Sequence, residues 1–179
     1  MRVHAAPLVL TAVVLGTTAC APTPAQEEPS SDEALTTEQA QVPSIEGTYR
    51  LVSRELPDGS IQEPPDVLGL STFTKEYRSL NLMWTDADGR RFSISYIARY
   101  SLTPTEYSET SLYRLVNDLD GGEPWYDLSG PSGTSAVTVE GGRIQFVHPL
   151  YQEPSVVFEG ERETASVEGQ LFDIWERVD

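Results

Sequence analysis

The sequence predicts an all-β domain, a single antiparallel up-and-down barrel of about 8 to 9 short strands. From residue 45 to residue 179 apolar side chains recur at every second position, and no longer window keeps a helical period with caps. Turn-forming pairs separate these alternating runs, as consecutive hairpins require. A sheet of this size must also hide its edges, and up-and-down closure does so with the shortest connections.

The elements follow in chain order. Residues 48–54 alternate, with Tyr49 and Leu51 opposite Arg50 and Arg54, and end before the turn pair Asp58-Gly59. Residues 79–86 put Leu80, Leu82 and Trp84 on one face, and Asp88-Gly89 turns the chain again. Residues 92–102 alternate most clearly: Phe92, Ile94, Tyr96, Ala98, Tyr100 and Leu102 share a face opposite Arg91, Ser93, Ser95, Arg99 and Ser101. An extended run over 105–116 would set Tyr107, Glu109, Tyr113 and Leu115 on one face. Residues 117–134 read as irregular, rich in Gly, Asp and Pro but containing Trp125 and Tyr126. Glu140-Gly141-Gly142-Arg143 then joins Val139 to Ile144 through a two-residue turn that needs positive φ. In the last strand Phe172, Ile174 and Val178 oppose Trp175, so parity leaves the inner face open.

Residues 1–20 precede this domain with one cation, Arg2, an apolar run over 8–15 and small residues over 16–19. The run is a secretory leader, too short to span a bilayer. Its end, Gly16-Thr17-Thr18-Ala19-Cys20, resembles a bacterial lipoprotein signal, which implies cleavage before Cys20, the chain's single cysteine, and acylation of that residue. Ordinary secretion, with cleavage after a small residue such as Ala25, is the alternative. Residues 21–43 hold four prolines, five carboxylates and no cation, a composition for an extended tether. The expected organisation is thus a signal peptide over 1–20, a disordered acidic tether over 21–43 and a barrel domain over 44–179. The address is the bacterial cell envelope, lipid-anchored outside the cytoplasm, or secreted if Cys20 is not lipidated.

The charge excludes one class of partner. With 28 acidic against 12 basic side chains the net charge is -16, and a nucleic acid is held by clustered Lys and Arg. One Cys and two His give no zinc cage, and Asp86-Ala87-Asp88-Gly89 and Asp118-Leu119-Asp120-Gly121 lack the further acidic positions of a calcium loop. No nucleophile elbow, phosphate loop or dinucleotide fingerprint appears, so no enzymatic role and no cofactor are expected. His148, between Val147 and Pro149, reads as a loop or strand-end residue.

Gly47-Thr48-Tyr49-Arg50-Leu51-Val52-Ser53, residues 100–110 and Ile174-Trp175-Glu176-Arg177-Val178 together resemble bacterial lipocalin-like domain proteins. Lipocalins open on Gly-x-Trp and close the barrel with an Arg over that Trp. The resemblance implies the same structural role for Gly47, for Tyr49 in place of the Trp, and for Arg177. It also implies non-covalent binding of a small hydrophobic or amphipathic molecule inside the barrel. Trp84, Tyr96, Tyr100, Tyr107, Tyr113 and Trp175 are candidate lining residues, and Glu109, an acid on an aromatic face, is the candidate for orienting a polar group. The alternative is an acidic interaction or inhibitor module whose outer surface binds a cationic protein of the envelope.

Overall fold

A computed structural model describes residues 42–179 apart from 87 and 153; the leader, Cys20 and nearly all of the tether lie outside the described residues. The described residues are all β. The strands are β1 (Gly47–Glu55), β2 (Ile61–Gln62), β3 (Val67–Phe73), β4 (Tyr77–Thr85), β5 (Arg91–Leu102), β6 (Glu106–Asp118) and β7 (Trp125–Asp127). They continue with β8 (Ser132–Ala136), β9 (Thr138–Glu140), β10 (Arg143–Val147), β11 (Ser155–Glu159), β12 (Arg162–Val167) and β13 (Leu171–Arg177). Thirteen strands replace the expected 8 to 9. The surplus comes from pieces of two or three residues, too short to show a period, and from one run that breaks at Val137 into β8 and β9.

The strands form one antiparallel sheet curled into a half barrel. Its order runs from β6 through β5, β4, β3 and β1 to β13, β12, β11, β10 and β9. Residues 132–140 touch both ends of this order, because β8 pairs with β6 while β9 pairs with β10. Local chemistry sets the hairpins. Glu140 pairs with Arg143, and Gly141 and Gly142 take φ of 58° and 86°, which a side chain would oppose.

Two β-bulges decide which side chains face inward. In β1, Leu51 pairs with Trp175 but Ser53 pairs with Ile174, so Val52 is extra. In β6, Tyr113 pairs with Ile97 but Ser111 pairs with Ala98, so Leu112 is extra. A bulge reverses the alternation beyond it. Arg54, expected opposite Leu51, is therefore buried, and Tyr113 leaves the face of Glu109 to pair with the outward Ile97. On β13 the open parity resolves: Asp173 and Trp175 are buried, while Phe172 and Val178 are exposed.

One half of the curl is packed with rings. Phe73 lies edge-on to Tyr49, Tyr100 and Phe158, and Tyr107 stacks on Phe146 at 4.2 Å between centroids. Offset and edge contacts of this kind add to the stabilisation from apolar burial. Outside them, the Arg177 guanidinium carbon lies 5.8 Å from the Tyr49 ring centroid. Gly47, at φ 149°, makes room for it, since a Cβ there would stand 2.6 Å from two guanidinium nitrogens. Gly47→Ala should displace Arg177 and lower stability by about 1–3 kcal/mol, read as a lower urea midpoint with an unchanged slope.

Candidate functional site

Beneath the packed rings lies a layer of buried charge centred on Glu109. This side chain comes from the inward face of β6, before the bulge, and is 2% exposed. It accepts hydrogen bonds from the hydroxyls of Tyr96 and Tyr107, the latter at 2.6 Å. Arg78 Nη1 stands 3.4 Å from Oε1 and His148 Nδ1 3.3 Å from Oε2. Burial pushes this carboxyl up, but His148, Arg78 and the Tyr107 hydroxyl outweigh burial and hold it at about 2. Arg78 is further seated over the Tyr96 ring at 5.3 Å, and His148 stacks on Phe73.

A second buried pair joins the first and last strands. Arg54 donates two hydrogen bonds of 2.7 Å to the two carboxylate oxygens of Asp173, and its guanidinium lies 5.9 Å from the Trp84 ring. The planar fork satisfies both oxygens at once, the geometry a buried pair needs to offset its desolvation. The bulge at Val52 turns Arg54 inward to make this contact.

The other half of the curl is hollow. A cavity of about 290 Å³ is bounded by Leu80, Leu82, Ile94 and Val156, by the rings of Trp84 and Trp175, and by Arg54, Arg78, Glu163 and Asp173. It reaches the surface, since the exposed Gln152 and Gln170 also line it. At this rim Tyr151 donates a 2.8 Å hydrogen bond to Asp127, and Arg114 lies 4.4 Å from the Tyr151 ring centroid. An apolar wall with a few convergent polar groups is the usual composition of a small-molecule site, and the volume is at the lower end of such sites.

Glu163 is the odd carboxylate. Arg54 is matched by Asp173 and Arg78 by Glu109, while Oε2 of Glu163 has no hydrogen-bond partner among the described residues. Burial, only partly opposed by Arg78 and reinforced by Asp173, raises its carboxyl to about 8. It is therefore mostly a neutral acid at pH 7.

The sequence-derived candidates divide among these regions. Trp84 and Trp175 line the cavity. Tyr96, Tyr107 and Glu109 form the charged layer. Tyr100 belongs to the packed rings, its hydroxyl bonded to the Thr74 carbonyl at 2.5 Å. Tyr113 stands on the outward side, a correction that the bulge at Leu112 explains. Gly47, Tyr49 and Arg177 meet at the packed end. His148, expected at a loop or strand end, follows β10 directly but is 2% exposed beside Glu109. Arg54, Arg78, Glu163 and Asp173 were not anticipated. Their signal was weak: Arg78 shares the parity of Leu80 and Leu82, and Glu163 that of Ala165. Asp86 and Asp120 do turn work, accepting from the backbone N–H groups of Asp88 and Arg91, respectively, and from the guanidinium groups of Arg90 and Arg91.

The two glutamates give stability opposite dependences on pH. The unfolded chain protonates Glu109 near 4.5 and the folded chain only near 2. Its contribution, about 3 kcal/mol, is present above the unfolded value and is lost as pH falls through about 2. Urea unfolding at stepped pH should show this acid limb, and Glu109→Gln should flatten it while lowering stability at pH 7. For Glu163 the folded value is raised, so its contribution is full below about 4.5 and is lost as pH rises through about 8. Glu163→Gln should remove this limb and exceed the native chain in stability at about pH 9, read as a higher urea midpoint.

Comparison of the chain with protein-family models, with functionally described proteins and with solved structures gives no match. The functional reading therefore rests on the chemistry of the cavity itself.

Proposed function

We propose that the chain is an envelope lipoprotein, held to a membrane through acylated Cys20, whose curled sheet forms a lipocalin-like barrel. Its task is non-covalent binding of a small apolar or amphipathic molecule, with no bond made or broken. The observation that carries this reading is the cavity of about 290 Å³ in the hollow half, with apolar side chains and two tryptophans on its wall and an outlet at Gln152 and Gln170. A cavity bounded by Leu80, Leu82 and Val156 gains free energy when apolar ligand surface replaces water there. The charged layer supports the same division of labour. It is bonded internally, so its groups fix the cavity floor instead of competing for the ligand.

His148, which stands against Glu109, packs among Phe73, Tyr107 and Phe146 and also lines the cavity.

Native mass spectrometry of protein recovered from its own host tests the reading. The chain should carry a discrete extra mass below that of a membrane lipid, released on denaturation. Leu80→Trp, which fills the cavity, should abolish that mass while leaving the far-UV circular dichroism unchanged. A native chain with no bound mass that also binds no apolar probe would overturn the proposal.

A further inference from the structure

Among the described residues, several side chains of the cavity wall carry a polar atom without a hydrogen-bond partner, Arg114 through Nε among them, and two of these, Glu163 and Trp175, are neighbours. Glu163 on β12 pairs in register with Trp175 on β13, and both line the cavity. Each is 3% exposed. Glu163 Oε2 and Trp175 Nε1 both lack a hydrogen-bond partner among the described residues. Leaving such groups unsatisfied is costly, so a pair of them on one cavity wall marks a place where a ligand atom can supply what the fold does not.

We infer that Glu163 and Trp175 form a subsite for the carbonyl oxygen of an uncharged small molecule, a ketone, ester or amide carried on an apolar body. This deepens the proposed binding function and rests on it. Three observations select the class. The indole N–H only donates, so it has nothing to offer an ammonium group. Among the described residues the charges nearest Glu163 are matched, Arg78 from β4 with Glu109 from β6 and Arg54 from β1 with Asp173 from β13, and the further cation of the cavity wall, Arg114 from β6, lies against the Tyr151 ring. His148, beyond β10, stands against Glu109, and Tyr49 is held neutral by burial. A ligand carboxylate at this position would add an unmatched buried anion. An acceptor without charge takes one hydrogen bond from the indole and a second from the carboxylic acid.

The neutral form of Glu163 gives the subsite a pH signature. Its carboxyl donates while protonated and loses that hydrogen on passing about 8. A carbonyl ligand therefore weakens as pH rises, whereas an amine would tighten.

The test titrates the full chain with four probes that share a phenylalkyl body: benzylacetone, butylbenzene, phenylbutylamine and phenylbutyrate. Tryptophan fluorescence is the readout, because Trp84 and Trp175 both line the cavity. Benzylacetone should bind about tenfold more tightly than butylbenzene, and this advantage should disappear between about pH 7 and about pH 9.5. Glu163→Gln, whose amide still donates, should keep the advantage and lose its pH dependence. Glu163→Leu should lose the advantage without weakening butylbenzene. Equal binding of benzylacetone and butylbenzene overturns the subsite and leaves the cavity proposal standing. Tightest binding of phenylbutylamine or phenylbutyrate overturns it in favour of an ionic site, and failure of all four probes overturns both proposals.

Discussion

The interior of this fold is organised by a requirement of charge balance. Among the described residues, two arginines, three carboxylates and a histidine stand inside the curled sheet, all nearly inaccessible to water. Ionised groups in such a place must be paired and hydrogen-bonded, or they neutralise. Glu109 meets the requirement through two tyrosine hydroxyls, Arg78 and His148, and Asp173 meets it through the fork of Arg54. Glu163 is left over and stays protonated to about 8. The same arithmetic divides the molecule. On one side of the charged layer, rings pack to the end at Tyr49 and Arg177; on the other the space is open.

This division lets the polar layer support the proposed binding site. Its members are hydrogen-bonded or ion-paired to one another, and Arg78, Arg54 and Asp173 also line the cavity. Replacing any one of them would strand a buried charge, at a cost of about 3–5 kcal/mol. Above the floor stand Leu80, Leu82, Ile94, Val156 and two tryptophans, so under the proposed function affinity would come from burial and orientation from the polar atoms that remain unsatisfied.

Much of the fold was legible in the sequence because it is local. The alternation over residues 92–102 became β5, and the Gly141-Gly142 turn joined β9 to β10 in the expected register. The site was less legible, because three of its determinants are non-local. The extra residues Val52 and Leu112 reverse inside and outside within β1 and β6, which brought Arg54 inward and sent Tyr113 outward. No local pattern announces a bulge when flanking residues are of mixed polarity. His148 reached Glu109 only because the sheet brings the end of β10 against β6. Glu163, in an acidic run ending with Ala165, reads as solvent-facing until the register with Trp175 is known.

The most direct test of this account is a pH titration of the side-chain carboxyl carbons by NMR in protein carrying isotope-labelled glutamate. Two resonances should stand apart from the rest. One, assigned to Glu109 by its loss in Glu109→Gln, should remain ionised down to about 2, and the other, Glu163, should remain protonated up to about 8. Ordinary midpoints near 4.5 for both would contradict the buried charge balance from which the cavity and its chemistry have been derived.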